Sequence, residues 1–237
     1  MSRAALLLSA ILLYAHAAWA STEPGDPVAG IEHTDLELVR AAIQRLDDVQ
    51  QDAKWLFTMT IVEDGETRVI AHDARKQPEA QRELISVDGA PPSQERLRDF
   101  RKEEKKRVDE QDPDASFFDL IDMATVAELE RSGDSVSYAF TPRLKDLEKA
   151  EGKVSGSLVV DTRSGLVSAM DIFSTEEFSP AFSVSLQSYR LSFHFYNEQG
   201  TPLLTNMTSR AVGKVGFLKK FDTRTDITFS DYRPAQD

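Results

Sequence analysis

The 237-residue chain contains no cysteine. That rules out disulfides, thiolate metal centres and a cysteine nucleophile, so the folded state must rest on its apolar core. At this length a core can suffice. Histidine is scarce, with four in all. Only His33, His72 and His194 lie beyond the leader described next, too few for a His-rich metal site. Neither an H-E-x-x-H nor a G-x-S-x-G motif occurs. His194 sits between Phe193 and Phe195 with no motif around it, and a lone strand histidine is usually structural or solvent-facing. Excess positive charge is missing too. The net charge of -12 repels nucleic acid and anionic bilayer surfaces. These absences argue against an enzyme, a metal site, a cofactor and a nucleic-acid partner.

Long apolar runs are confined to the start. "MSRAALLLSAILLYAHAAWA" has Arg3 as a basic n-region, an apolar stretch from Ala4 to Leu13 and an Ala18-Trp19-Ala20 cleavage signal. The apolar stretch is shorter than the about 20 residues a spanning helix needs. Residues 1–20 therefore read as a cleaved signal peptide, and the expected location is the periplasm, without stable membrane insertion. Residues 21–30 carry Pro and Gly and read as a flexible leader. Residues 31–237 read as a single domain.

What is present is mostly β patterning. A helix comes first, from about Asp35 to Gln51, with Thr34 as its expected N-cap. Leu36, Val39, Ala42, Ile43 and Leu46 fall on one face. From Trp55 the period drops to two, and "WLFTMTIVEDGETRVIAHD" folds back at Asp64-Gly65 as a hairpin. Trp55, Phe57, Met59 and Ile61 share one face of its first strand. A charged helix follows Pro91-Pro92, with Ser93 as N-cap and Leu97, Phe100 and Val108 as its apolar line. Its charges alternate in sign, and Glu103 with Arg107 and Asp99 with Lys102 are expected to pair within it. Together with the apolar patch Phe117, Phe118, Leu120, Ile121 and Met123, it makes residues 91–123 a helical insertion or flap. The C-terminal third holds long strands with turns at "DTRSG" and "NEQG". Phe182, Val184 and Leu186 share a phase that slips by one to Tyr189, Leu191, Phe193 and Phe195, so a bulge is expected near Gln187–Ser188.

The sum is a mainly β chain with helices. A long antiparallel meander of eight to eleven strands curls into an open half-barrel, covered by the N-terminal helix and the mid-chain insertion. This layout, with strands such as "GSLVVDTRSGLVSAMDIFS" and helices inserted between strands, resembles the LolA-like outer-membrane lipoprotein-sorting proteins. The resemblance implies an apolar inner face that receives acyl chains, with a lipid or acylated lipoprotein as partner. Trp55, Phe57, Met59, Ile61, Phe117, Phe118, Ile121, Phe182, Leu186, Phe193 and Phe195 are the candidate lining. The alternative is an envelope sensor or scaffold that binds a protein partner through the charged helix. An open groove favours a carrier and a self-filled one favours a scaffold.

Overall fold

The computed structural model describes residues 33–52, 55–110, 116–143, 150, 152–181, 183–216 and 219–235. The expected signal peptide, the expected leader and Phe182 lie outside the described residues. Among the described residues no helix is long and apolar enough to cross a membrane.

Helix α1 (His33–Asp52) precedes a hairpin of β1 (Trp55–Glu63) and β2 (Glu66–Asp73), and β3 (Arg82–Val87) completes the first sheet edge. The charged helix α2 (Gln94–Glu110) and the one-turn α3 (Phe117–Leu120) follow. Then come β4 (Ile121–Ser132), β5 (Ser135–Pro142), β6 (Val154–Asp161), β7 (Leu166–Ser174) and the short β8 (Phe178–Ala181). The long strands β9 (Val184–Glu198), β10 (Thr201–Val215) and β11 (Lys219–Pro234) close the chain. All the strands join one antiparallel sheet in the order β3-β2-β1-β11-β10-β9-β7-β6-β5-β4, with β8 paired to β9. The path ends at β3 and β4 without closing, which is the open half-barrel. The expected helix around residues 35–51 is there, but it begins at His33, so Thr34 lies inside it.

Local chemistry places the turns. Asp64 and Gly65 both have positive φ, 50° and 83°, as a two-residue hairpin with native twist requires. Ser93 caps α2 by accepting the Arg96 backbone N–H at 3.2 Å. The expected bulge is present: Val212 pairs Ser188, but the next residue, Gly213, pairs Leu186. Gln187 is the extra residue, and it lets Leu186 and Tyr189 both point inward.

Because residues directly opposite each other share a face, the register defines one continuous inner face. One row across it runs Ile61–Ile227–Met207–Phe193–Met170–Leu158–Tyr138. In β6, Val154, Gly156, Leu158 and Val160 are buried and the residues between them are not, which is the period of a half-covered strand. The inner face carries two apolar clusters. The larger packs Val39, Ala42, Ile43 and Leu46 of α1 on β5, β6, β7 and β9. The smaller packs Phe100 of α2 on Met59, Ile70 and Leu84. The outer face is polar, with ion pairs such as Arg210–Asp222 at 2.9 Å and Arg224–Asp226 at 2.8 Å.

Candidate functional site

The two helical covers sit at opposite parts of the same face. Between them run the inner sides of β1, β11, β10 and the end of β9. There Phe57, Ile61, Ile227, Phe229, Met207 and Phe195 are half-buried, not sealed. Ile61, Ile227 and Phe229 flank the α2 cluster, while Met207 and Phe195 flank the α1 cluster. Apolar side chains that keep part of their surface, in line between two covers, form a strip that a further apolar body can cover. At the hairpin end the strip turns polar: the Thr225 hydroxyl donates to Glu63 Oε1 at 3.1 Å.

The expected lining residues separate into groups. Trp55, Phe57, Ile61, Phe117, Phe118 and Phe195 are half-buried, and Phe117 packs edge-on against Phe193 at 5.6 Å and Phe195 at 6.0 Å. Met59 and Phe193 lie at 3% and 5% exposure, just beneath the strip. Ile121 and Leu186, at 0% and 2%, fill the core. Ile121 opens strand β4. Phe182 lies outside the described residues.

Helix α2 is held to the inner face by more than its apolar line. Arg68 of β2 contacts Glu63 at 3.0 Å, Glu66 at 3.7 Å and Glu103 of α2 at 3.8 Å, and Arg96 of α2 pairs with Glu66. Further along, Glu104 of α2 is only 7% exposed and lies between Arg82 of β3, at 3.7 Å, and Arg107, at 2.8 Å. The helix is therefore not neutralised only within itself. Asp99 and Lys102 do pair, at 3.8 Å. Glu103 turns instead to the sheet, and Arg107 takes Glu104 in place of the expected Glu103. Burial, only partly offset by Arg68, pushes the Glu103 carboxyl above its usual range.

The flap end is fixed by a residue whose role was not visible in the sequence. Asp47 of α1, 4% exposed, accepts the backbone N–H groups of Phe117 at 2.7 Å and Phe118 at 3.1 Å. These are first-turn donors of α3, which have no partner within the helix. Burial raises the Asp47 carboxyl above its ordinary value against the pull of those two N–H groups.

The residues weighed for catalysis do not converge. His194 is exposed on the outer face, and the Ser192 hydroxyl donates directly to Asp171 with no imidazole between them. Among the described residues there is no cluster of three or more His, Asp or Glu able to hold a metal ion.

No protein-family model matches the chain, and no curated protein matches it. Among solved structures, a LolA superfamily protein of Nitrosomonas europaea matches over 84% of this chain and 94% of its own, at 12% identity and a TM-score of 0.36. That is a distant likeness of chain path.

Proposed function

We propose that the protein is a periplasmic carrier that holds a hydrophobic chain, from a lipid or a lipoprotein acyl group, along the strip between its two helical covers. The observation that carries this reading is the half-buried apolar row of the inner face. Those residues keep part of their surface, whereas the core under α1 is buried. Each methylene moved from water onto the strip contributes about 0.8 kcal/mol, so a long acyl chain supplies ample affinity without any chemistry. Helix α2 borders the strip, so a movement of that helix would open or cover it. The excess negative charge keeps the loaded carrier in solution and away from anionic bilayers.

The test is a fluorescence titration of the protein with pyrene-labelled decanol, a neutral probe. Saturable one-site binding that weakens in Met207→Asp supports the carrier. Absence of saturable binding overturns it and moves the weight to a scaffold that binds protein through α2.

A further inference from the structure

Helix α2 carries charge on two sides, and the fold sorts it by sign. Towards the sheet, Glu103 meets Arg68 at 3.8 Å and Glu104 meets Arg82 at 3.7 Å. One cation, Arg96, also pairs on that side, with Glu66. The opposite side holds Arg98, Arg101, Lys102, Lys105 and Lys106, all exposed. Residues three and four apart are neighbours on a helix, so Arg98, Lys102 and Lys106 form one row and Arg101 with Lys105 an adjoining one.

Little within the molecule answers this charge. Lys102 pairs with Asp99 at 3.8 Å and Lys106 with Glu110 at 3.7 Å, both along the helix. Arg98, Arg101 and Lys105 have no ion-pair partner among the described residues. The exposed acids Glu95 and Asp109 stand at the two ends of the rows, so the middle is basic. Like charges at this spacing repel one another and weaken a helix. Helix α2 bears that repulsion over about two turns.

The rest of the chain has the other sign. Its net charge is -12, and Arg210 and Arg224 on the outer face of the sheet are tied to Asp222 and Asp226. An anionic partner is repelled by most of this surface and admitted along α2, which fixes its orientation. The chemistry also narrows the partner. A helix lying in a bilayer surface turns an apolar face to the lipid. Here the apolar residues Leu97 and Phe100 pack on the sheet, and the outward side is polar throughout. A broad anionic surface, such as a bilayer or a nucleic-acid duplex, would also meet the rest of an acidic molecule. A short acidic segment meets only the helix.

From this we infer that the outward side of α2 is a docking surface for an acidic segment of a partner protein, whose carboxylates pair with Arg98, Arg101 and Lys105. The inference does not depend on the carrier reading. The strip lies along the inner face of the sheet and the docking surface on the far side of α2, so either can fail alone.

The test titrates fluorescein-labelled decaglutamate with the protein, followed by anisotropy at about 150 mM salt. Saturable binding is expected, weakening as salt rises. The triple variant Arg98→Gln, Arg101→Gln, Lys105→Gln keeps good helix formers and removes three charges. Its peptide affinity should fall about tenfold or more. Its thermal midpoint and its affinity for pyrene-labelled decanol should not change. The matched variant Lys214→Gln, Lys219→Gln, Lys220→Gln takes the same charge from the β10–β11 hairpin. It should alter peptide binding by less than about twofold. Absence of saturable binding to the wild-type protein overturns the inference, a result that needs no variant to fold. An equal loss in the two triple variants overturns it too, because the peptide would then follow net charge and not α2. Tighter binding to phosphatidylglycerol vesicles than to the peptide, lost in the α2 variant, would make this a membrane contact and overturn the protein partner.

Discussion

Met207 on β10 and Ile227 on β11 are direct cross-strand partners, yet each flanks a different hydrophobic cluster. Met207 packs at the margin of the core under α1, and Ile227 at the margin of the patch under α2. The pair marks the line where two covered regions of one face meet without closing. Substituting either residue should therefore separate binding from stability. Met207→Asp should weaken a neutral acyl probe by at least tenfold, because a carboxylate in the strip must be desolvated by the incoming chain. Its thermal midpoint should change far less than that of Met170→Asp, because Met170 is only 1% exposed. Parallel binding titrations and thermal melts check both halves.

Phe100 is the apolar anchor of α2. Phe100→Ala should cost about 3–5 kcal/mol of local stability, the usual range for emptying a buried aromatic site. The loss should appear first as faster amide exchange along α2 and on Met59, Ile70 and Leu84. Exchange beneath α1 should change little, since that core does not touch Phe100.

Asp47 joins α1 to the flap. Asp47→Ala removes the acceptor of two backbone donors and should destabilise by about 1–3 kcal/mol. Exchange of the Phe117 and Phe118 amides should rise sharply in this variant. Unchanged protection at those two amides would mean that Asp47 does not fix α3.

The cross-strand pair Gly156–Phe140 has almost no tolerance. The Phe140 ring lies over Gly156, and an added Cβ would stand 2.2 Å from its Cζ. Gly156→Ala should cost about 1–3 kcal/mol by overpacking. The double variant Gly156→Ala with Phe140→Leu should recover part of that loss in a denaturant melt.

His72 gives a pH signature. It faces Arg82 on β3 and Arg107 with Glu104 on α2, and Asp73 follows it in β2. Burial first, then the two guanidinium charges, lower it to about 4 from 6.5. The unfolded chain binds this proton more readily, so between about pH 6.5 and 4 folding stability falls as pH falls. The difference in unfolding free energy between wild type and His72→Phe should show that slope.

Much of the fold was legible because it depends on local pattern. The period-two runs, the Asp64-Gly65 turn and the phase slip after Leu186 are statements about which face a side chain takes, and the sheet obeys them. The partners of charged residues were less legible. Glu103 and Arg107 are correctly spaced to pair on a helix, but Glu103 meets Arg68, 35 positions earlier in the chain. Asp47 looked like one of several polar residues on α1 until the chain brought Phe117 beside it. Register sets His72 opposite Arg82, and α2 brings Glu104 against Arg82, a grouping from two strands and a helix that no spacing rule joins. One signal was available in the sequence: Glu104 falls on the same side of α2 as Leu97, Phe100 and Val108, and a charge on a buried helical face calls for a partner.

The most direct measurement follows the methionine methyl groups by NMR during titration with 16-doxyl-stearate, whose spin label broadens nearby signals. If an acyl chain lies along the strip, the Met207 methyl signal should broaden saturably at one equivalent. Met170, deep under α1, should broaden less, and unlabelled oleate should reverse the effect. Uniform broadening that never saturates, or none at Met207, would contradict a carrier whose cargo lies between the two helical covers.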